Sequence, residues 1–460
     1  MGDILVDIAF FYGIICIVVK KTVEMEDEIM RKRNVLVAQS GGPSPVINAS
    51  LQGVLEACFE SGKMGCVYAA HRGIEGVLLE ELIDMTKQPI DEIRRLKNTP
   101  AAGAIGSCRY KLKENNEADF ERIIDVFRAH DIGYFFYIGG NDSMDTADKV
   151  KILAEKQGYE LIVMGVPKTI DNDLGDEERT IIDHTPGYGS CARYWAYIIQ
   201  NVNEENRGMC TSECVSVLQA MGRGSGFITA SSRLADPNRE MPLQLYLPES
   251  GLSMEKMLAN VDDELIRSGR CIIVVPESFM TDPASQLRDG FGHVEYGASK
   301  TTAMQEVVNA LNKHGFPVRG QATGQVPGVL QRGVSLHAST IDREEAYTLG
   351  RKSVEFALTG ITGKMATILR NSDEPYSVRY EHVPLSVVAN RVRYLPKEWI
   401  AQSGIDVTDD FIRYARPLIG DSMPEIELEA GLQRFARIKL TFVEKKLPEY
   451  TPCNMANCSH

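Results

Sequence analysis

The chain has 460 residues, enough at about 100–200 residues per domain for two or three domains with well-buried cores. Hydrophobic residues make up 43% and charged residues 25%, the balance of an ordinary soluble globular protein. A formal net charge of −13 argues against a general nucleic-acid binder, which needs an extended basic face; a small anionic substrate held by a few converging Lys and Arg side chains stays open.

Residues Ile4 to Val19 are mostly apolar and are followed by Lys20 and Lys21. The run is shorter than the ~20 residues that span a bilayer and contains Asp7. A secretory signal carries its positive charge before the apolar run, not after it. Residues 1–30 therefore read as an N-terminal extension, with Met25 or Met30 just ahead of the first strand. The other readings are a helix packed on a partner and membrane attachment, the latter not expected. From Asn34 to Gln39 (NVLVAQ) a strand is expected, followed by a Gly/Pro turn and a helix from Asn48 to Cys58. Tyr134 to Ile138 reads as a second strand, leading through GGNDS into a helix that runs to Ala154. Leu161 to Val166 is a third and ends at PKTIDND; Cys214 to Leu218 and Cys271 to Val275 follow, ending at QAMGRGSG and PES. Branched apolar runs alternating with helical patterns indicate an α/β fold with parallel strands. In such sheets ligands bind outside the carboxyl ends of the strands, where these polar and Gly-rich clusters fall. Ten cysteines are scattered along the chain. The closest pairs, Cys210 with Cys214 and Cys453 with Cys458, lack partners at zinc-site spacing, so buried thiols in a reduced cytosolic protein are expected.

Each cluster has a chemical and a plain structural reading. Ser40-Gly41-Gly42-Pro43-Ser44 between strand and helix suits a phosphate, because glycines allow close backbone approach and the helix start supplies donors; it also suits a simple turn. In Gly139-Gly140-Asn141-Asp142-Ser143, Asn141 or Ser143 could be a helix N-cap, or the cluster could bind a ligand. Pro167-Lys168-Thr169-Ile170-Asp171-Asn172-Asp173 is the most informative. Two carboxylates two residues apart repel unless a cation or proton shares the site, and Mg²⁺ would resolve that cost. One carboxylate could then accept a hydroxyl proton while the other helps hold the metal; a solvated turn is the plain alternative. Met221-Gly222-Arg223-Gly224-Ser225-Gly226 offers a guanidinium amid permissive backbone. Gly106-Ser107-Cys108-Arg109 with Lys111 and Lys113 is a compact basic patch that, read alone, fits a solvated surface loop.

Taken in order, GGPSP, GSCR, GGNDS, PKTIDND, QAMGRGSG, PES and LQRG resemble the phosphofructokinase family from about Asn34 to Arg332, and the rest, to about Leu440, resembles its longer bacterial branch. The resemblance implies two Rossmann-like three-layer lobes with mainly parallel sheets and the active site in the cleft between them. It implies a phosphoryl-donor lobe over 31–185, a fructose 6-phosphate lobe over 186–330, and a segment, 331–460, that returns to both lobes and ends in a tail. Asp171 is then the base on the sugar 1-hydroxyl. Thr169, Asp171, Met221, Gly222, Arg223 and Glu277 hold the sugar, and Arg332 its 6-phosphate. Gly42 and Arg109 face the donor phosphates, and Asn141 and Asp173 fall where the family holds Mg²⁺, Asn141 replacing an aspartate. Cys214, Thr323 and Val329 stand where the family's ATP enzymes have phosphate-clamping Arg, Arg and His; Arg319 is a nearby cation.

Two positions select the donor. ATP-dependent members carry glycine at the positions of Asp142 and Lys168, and the Asp142–Lys168 pair matches the pyrophosphate-dependent branch. An aspartate facing a nucleotide α-phosphate adds bulk and a repulsion on the order of 4 kcal/mol at about 4 Å and an effective dielectric of about 20. Lys168 supplies a cation for a compact inorganic donor, so Lys168 and Asp142 join Asp171 as expected catalytic residues. The implied enzyme is cytoplasmic, uses pyrophosphate, fructose 6-phosphate and Mg²⁺, and forms a homodimer or homotetramer. Rival readings are the same reaction with ATP and a non-catalytic sugar-phosphate sensor; a Rossmann dehydrogenase is disfavoured because no GxGxxG follows the first strand.

Overall fold

The computed structural model describes residues 32–112, 116–279, 301–389 and 391–456, with residues 288, 292, 294 and 296. The expected N-terminal extension, Lys113 and Cys458 lie outside the described residues.

The apolar runs read from the sequence become central parallel strands, which are buried on both faces and therefore lack an alternating pattern. The strands of the two main sheets are β1 (Asn34–Gln39), β2 (Val67–Ala70), β3 (Leu82–Asp84), β4 (Ile132–Gly139), β5 (Ile162–Pro167), β6 (Val215–Ala220), β7 (Leu243–Leu245), β8 (Cys271–Pro276), β9 (Ala322–Gln325), β10 (Lys364–Asp373) and β11 (Tyr376–Pro384). Among the described residues they form a seven-stranded sheet of order β11-β10-β5-β4-β1-β2-β3 and a four-stranded sheet of order β7-β8-β6-β9. Pairing is parallel except at the margins, where β3 and β11 run antiparallel to their neighbours. The main helices are α1 (Ile47–Ser61), α2 (Glu117–Ala129), α3 (Asn141–Lys156), α4 (Tyr188–Met209), α5 (Met254–Ser268), α6 (Ala303–His314) and α7 (Thr340–Leu358).

Both sheets are covered on both faces, giving two α/β lobes of three layers. On the first, Ile123, Phe127, Met144 and Val150 of α2 and α3 pack on one side, and Leu51, Val54 and Val354 of α1 and α7 on the other. On the second, Trp195 and Ile199 of α4 face one core, and Val261, Leu265 and Val307 of α5 and α6 the other. Crossing glycines bring α7, from the C-terminal part of the chain, onto α1. A Cβ at Gly53 would stand 2.0 Å from the Tyr347 carbonyl, and one at Gly350 2.3 Å from that of Ser50. Among the described residues no helix is long and apolar enough to cross a membrane.

Register decides what meets at the sheet edges. Gln39 pairs with Ile138, and Gly139 with Pro167, so SGGPS, GGNDS and PKTIDND leave the first sheet side by side. In the second sheet Ala220 pairs with Pro276, which brings MGRGSG beside PES.

Candidate active site

At the first-sheet edge the glycine turn after β1 is buttressed by the basic segment. The Gly41 amide donates to the Cys108 carbonyl at 2.9 Å, and Ser107 Oγ donates to the Gly41 carbonyl at 2.7 Å. Gly106–Arg109 is therefore not a free surface loop. Two guanidiniums crowd Gly42, where a Cβ would lie 2.4 Å from Arg332 Nη1 and 3.5 Å from Arg109 Nη2. Arg332, expected at the far end of the sugar, thus reaches back to the first glycine turn.

The N-cap reading of Asn141 and Ser143 is not realised. Gly140 caps α3 without a side-chain bond, and Gly139 lies so close to Ser143 that a Cβ would stand 2.0 Å from its Oγ. Asn141 Oδ1 is buried and, among the described residues, has no hydrogen-bond donor. Asp142 occupies the first turn of α3, where the helix dipole favours an anion, and Lys111 Nζ stands 3.6 Å from its Oδ1.

Lys168 follows β5 and is 2% exposed. Its Nζ donates to the carbonyls of Ser40 at 2.9 Å and Gly42 at 2.5 Å. Burial, and then the Arg332 and Arg109 guanidiniums, push its pKa down to about 7. Beyond it the chain turns at Asn172, which has φ 56°, placing Asp171 and Asp173 on either side of a left-handed residue. The Asp171 amide donates to Thr169 Oγ1 at 3.1 Å. Asp173 is 6% exposed, and burial followed by the neighbouring Asp171 raises its pKa to about 6.

The second-sheet edge presents Arg223. Gly222 has φ 116° and Arg223 itself φ 51°, a sharp turn that sends the guanidinium back towards the first lobe. Arg223 Nη2 lies 3.2 Å from Asp171 Oδ2 and 3.4 Å from Asp173 Oδ2. Burial works against this cation, but Asp171 and Asp173 outweigh it and hold its pKa above the ordinary value. The Arg223 amide donates to Glu277 Oε1 at 3.2 Å; burial and then Asp171 raise the Glu277 carboxyl to about 7.

These residues line one cavity of about 560 Å³. It contains Gly42, Arg109, Asn141, Asp142, Lys168, Thr169, Asp171 and Asp173 from the first lobe, with Met221, Gly222, Arg223, Glu277 and Arg332 from across the cleft. The volume suits a sugar phosphate with a compact second anion. Cations spread around an acid pair can hold a multiply charged ligand while one carboxylate accepts a proton.

Several lining residues escaped the sequence reading. Gln331, 1% exposed, accepts from the Met221 amide and from Trp195 Nε1, both at 3.0 Å, and so fixes the turn before Gly222. Its place beside Arg332 in LQRG was the available signal. Val392 and Tyr394 also line the cavity and carried no motif. Of the departures from the family's clamp, Cys214 is fully buried and Thr323 Oγ1 donates to Glu213 at 3.0 Å; Val329 lines the cavity rim, and Arg319 is exposed.

The phosphofructokinase family model matches residues 34–357. A relative from Halomonas elongata, named pyrophosphate–fructose 6-phosphate 1-phosphotransferase, is 42% identical over 92% of this chain and 100% of its own. One of the same name from Methylococcus capsulatus is 41% identical over 91% of this chain and 99% of its own. The crystal structure of a pyrophosphate-dependent phosphofructokinase from Nitrosospira multiformis, 40% identical, superposes with a TM-score of 0.81 over 91% of this chain and 100% of that one. The chain belongs to the phosphofructokinase family.

Proposed function

We propose that this protein is a pyrophosphate-dependent 6-phosphofructokinase. It transfers a phosphoryl group reversibly from pyrophosphate to the 1-hydroxyl of fructose 6-phosphate, giving fructose 1,6-bisphosphate and orthophosphate. The observation that carries the reading is the meeting of Asp142 and Lys168 with the Asp171–Arg223 pair in one cavity. In this reading Asp171 takes the hydroxyl proton as the O1–P bond forms and the bridging P–O bond of pyrophosphate breaks. Thr169, Met221, Gly222, Arg223 and Glu277 hold the sugar, and Arg332 its phosphate. Gly42 and Arg109 take the donor, Asp142 shortens the donor pocket, and Lys168 neutralises the departing orthophosphate. We assign donor binding to 31–185, sugar binding to 186–330, and 331–460 to a segment that supports both.

Phosphoryl transfer of this kind works with a divalent metal ion, and Mg²⁺ is the expected one. The buried acceptor of Asn141 and the raised Asp173 carboxyl suit a cation completed by phosphate oxygens. Among the described residues no group of three or more His, Cys, Asp or Glu is arranged for a metal. Bound there, the ion would neutralise charge on the transferred group. A cytoplasmic homodimer or homotetramer is the accompanying expectation.

The test is fructose 1,6-bisphosphate formation by the purified protein with Mg²⁺, comparing pyrophosphate and ATP. A strong preference for pyrophosphate supports the reading. A preference for ATP would keep the family and overturn the donor assignment.

A further inference from the structure

Asp171 and Asp173 flank Asn172, and Asn172 is gripped from behind by Arg393, some 220 positions away. Asn172 is fully buried, and its φ of 56° is one that few residues other than glycine and asparagine adopt readily. Thr185, whose amide donates to Asn172 Oδ1 at 3.0 Å, and Tyr414, whose hydroxyl accepts from Nδ2 at 2.9 Å, hold its side chain, and Arg393, 1% exposed, holds both side chain and backbone. Its Nε donates to the Asn172 carbonyl at 2.9 Å, and Nη2 to the Asn172 side-chain Oδ1 at 2.7 Å. Nη1 donates to the carbonyls of Ile182 at 2.8 Å and Asp183 at 3.1 Å, and the Arg393 amide donates to the Asp173 carbonyl at 2.7 Å. One side chain and its own backbone therefore tie down both sides of the turn between the two acids.

The chemistry of the grip is unusual for a structural arginine. Among the described residues Arg393 forms no ion pair with a carboxylate; its acceptors are carbonyl and amide oxygens. A buried guanidinium that is not paired directly with a carboxylate is costly, and a core serving only stability would do as well with apolar packing. Two directed bonds to Asn172 and two that anchor the same guanidinium to the Ile182 and Asp183 carbonyls do fit a geometric task, since the fork of a guanidinium fixes two acceptors at once. The neighbouring residues support this. Val392 and Tyr394 line the cavity while Arg393 between them points inward, so one extended segment forms a wall of the site and the clamp behind it. That segment lies beyond residues 34–357 covered by the family model.

We propose that Arg393 is a positioning residue for phosphoryl transfer: its guanidinium clamps Asn172 in the left-handed conformation that aims Asp171 and Asp173 into the cleft. The inference rests on Asp171 being the base of the proposed reaction.

The experiment compares wild type, Arg393→Met, Arg393→Lys, Asn172→Gly and the Arg393→Met/Asn172→Gly pair, assayed with pyrophosphate and Mg²⁺ well below each unfolding midpoint. Arg393→Met should lower kcat by about 30-fold, with KM for both substrates within about threefold, because the binding groups stay while the base loses its aim. Arg393→Lys should fall between, since an ammonium cannot bridge the Asn172 carbonyl and side chain together. Asn172→Gly accepts the backbone angle and keeps the carbonyl for Arg393 Nε but loses the side-chain oxygen that Nη2 holds, and should also lose kcat. The double variant should resemble the worse single one rather than the product of the two. Folded Arg393 variants with wild-type kcat, a loss confined to KM, or multiplicative effects in the pair would overturn the clamp. If Arg393→Met does not fold, Asn172→Gly at wild-type kcat would overturn it alone. A wild type without turnover would instead overturn the underlying reaction.

Discussion

Lys168 and Arg223 line one cavity from the edges of different sheets, and they are held in opposite ways. Lys168 is buried among backbone carbonyls with two guanidiniums nearby, and its pKa falls to about 7. Arg223 is partly exposed and lies against Asp171 and Asp173, which keep it charged. One cation is left short of negative charge until an anion arrives; the other is compensated in advance. This contrast lets a chain of net charge −13 present an uncompensated cation at one wall of the cavity and a compensated one at the other. It also separates the expected consequences of altering either side.

The largest effect should come from the compensated side. Asp171→Asn removes the proposed base and one of the two carboxylates on Arg223, leaving Asp173 as the remaining anchor. We expect kcat to fall about 10³-fold, as for loss of a positioned general base, with KM for fructose 6-phosphate changed only a fewfold. A variant keeping a tenth of the wild-type kcat would remove Asp171 from that role. On the other side, Lys168→Met deletes a charge-assisted bond of about 1.5–3 kcal/mol, a loss of roughly 10–100-fold in kcat/KM for pyrophosphate. The sign of its pH dependence follows from the depressed pKa of about 7. Below that value Lys168 is an ammonium and the mutant is at its greatest disadvantage. As pH rises through 7 the wild type loses the charge, and the ratio of wild type to Lys168→Met should shrink towards one by about pH 9. Taking the ratio cancels the titration of pyrophosphate itself. A ratio independent of pH would mean that the charge of Lys168 is not what the donor meets.

The sequence exposed the site's parts more readily than their joints. β1 and the strands leading to GGNDS, PKTIDND, MGRGSG and PES were readable to within two residues, because buried parallel strands are short branched runs closed by glycine or proline. The parallel register then carries those clusters to common edges, so most of the cavity followed from strand ends alone. Local spacing could not reveal contacts made by chain return. Arg109 and Lys111 looked like a solvated patch because nothing nearby in sequence tells that Cys108 bridges to Ser40. Arg393 and Tyr394 sit in a stretch with no motif, and their importance comes wholly from packing behind the PKTIDND turn. Asn141 could not be told from a cap until its side chain was seen without a backbone donor.

The smallest predicted effect concerns the donor pocket and separates two causes that the sequence had joined. Asp142 was expected to repel a nucleotide by charge as well as bulk, but Lys111 lies 3.6 Å away and offsets part of that charge. The remaining discrimination is on the order of 1–2 kcal/mol, about tenfold, well below the unscreened value at an effective dielectric of about 20. Asp142→Gly should therefore raise kcat/KM for ATP about tenfold and lower that for pyrophosphate by a similar factor. It should also lose about 1 kcal/mol of stability from the first turn of α3, read as a lower unfolding midpoint. Asp142→Asn keeps the bulk and removes the charge. If the aspartate acts by filling space, Asn should exclude ATP as well as Asp does, and only Gly should admit it. If it acts by charge, Asn should behave like Gly, and Lys111→Met should sharpen the preference for pyrophosphate. An unchanged donor ratio in Asp142→Gly would leave the family intact and show that this position does not choose the donor.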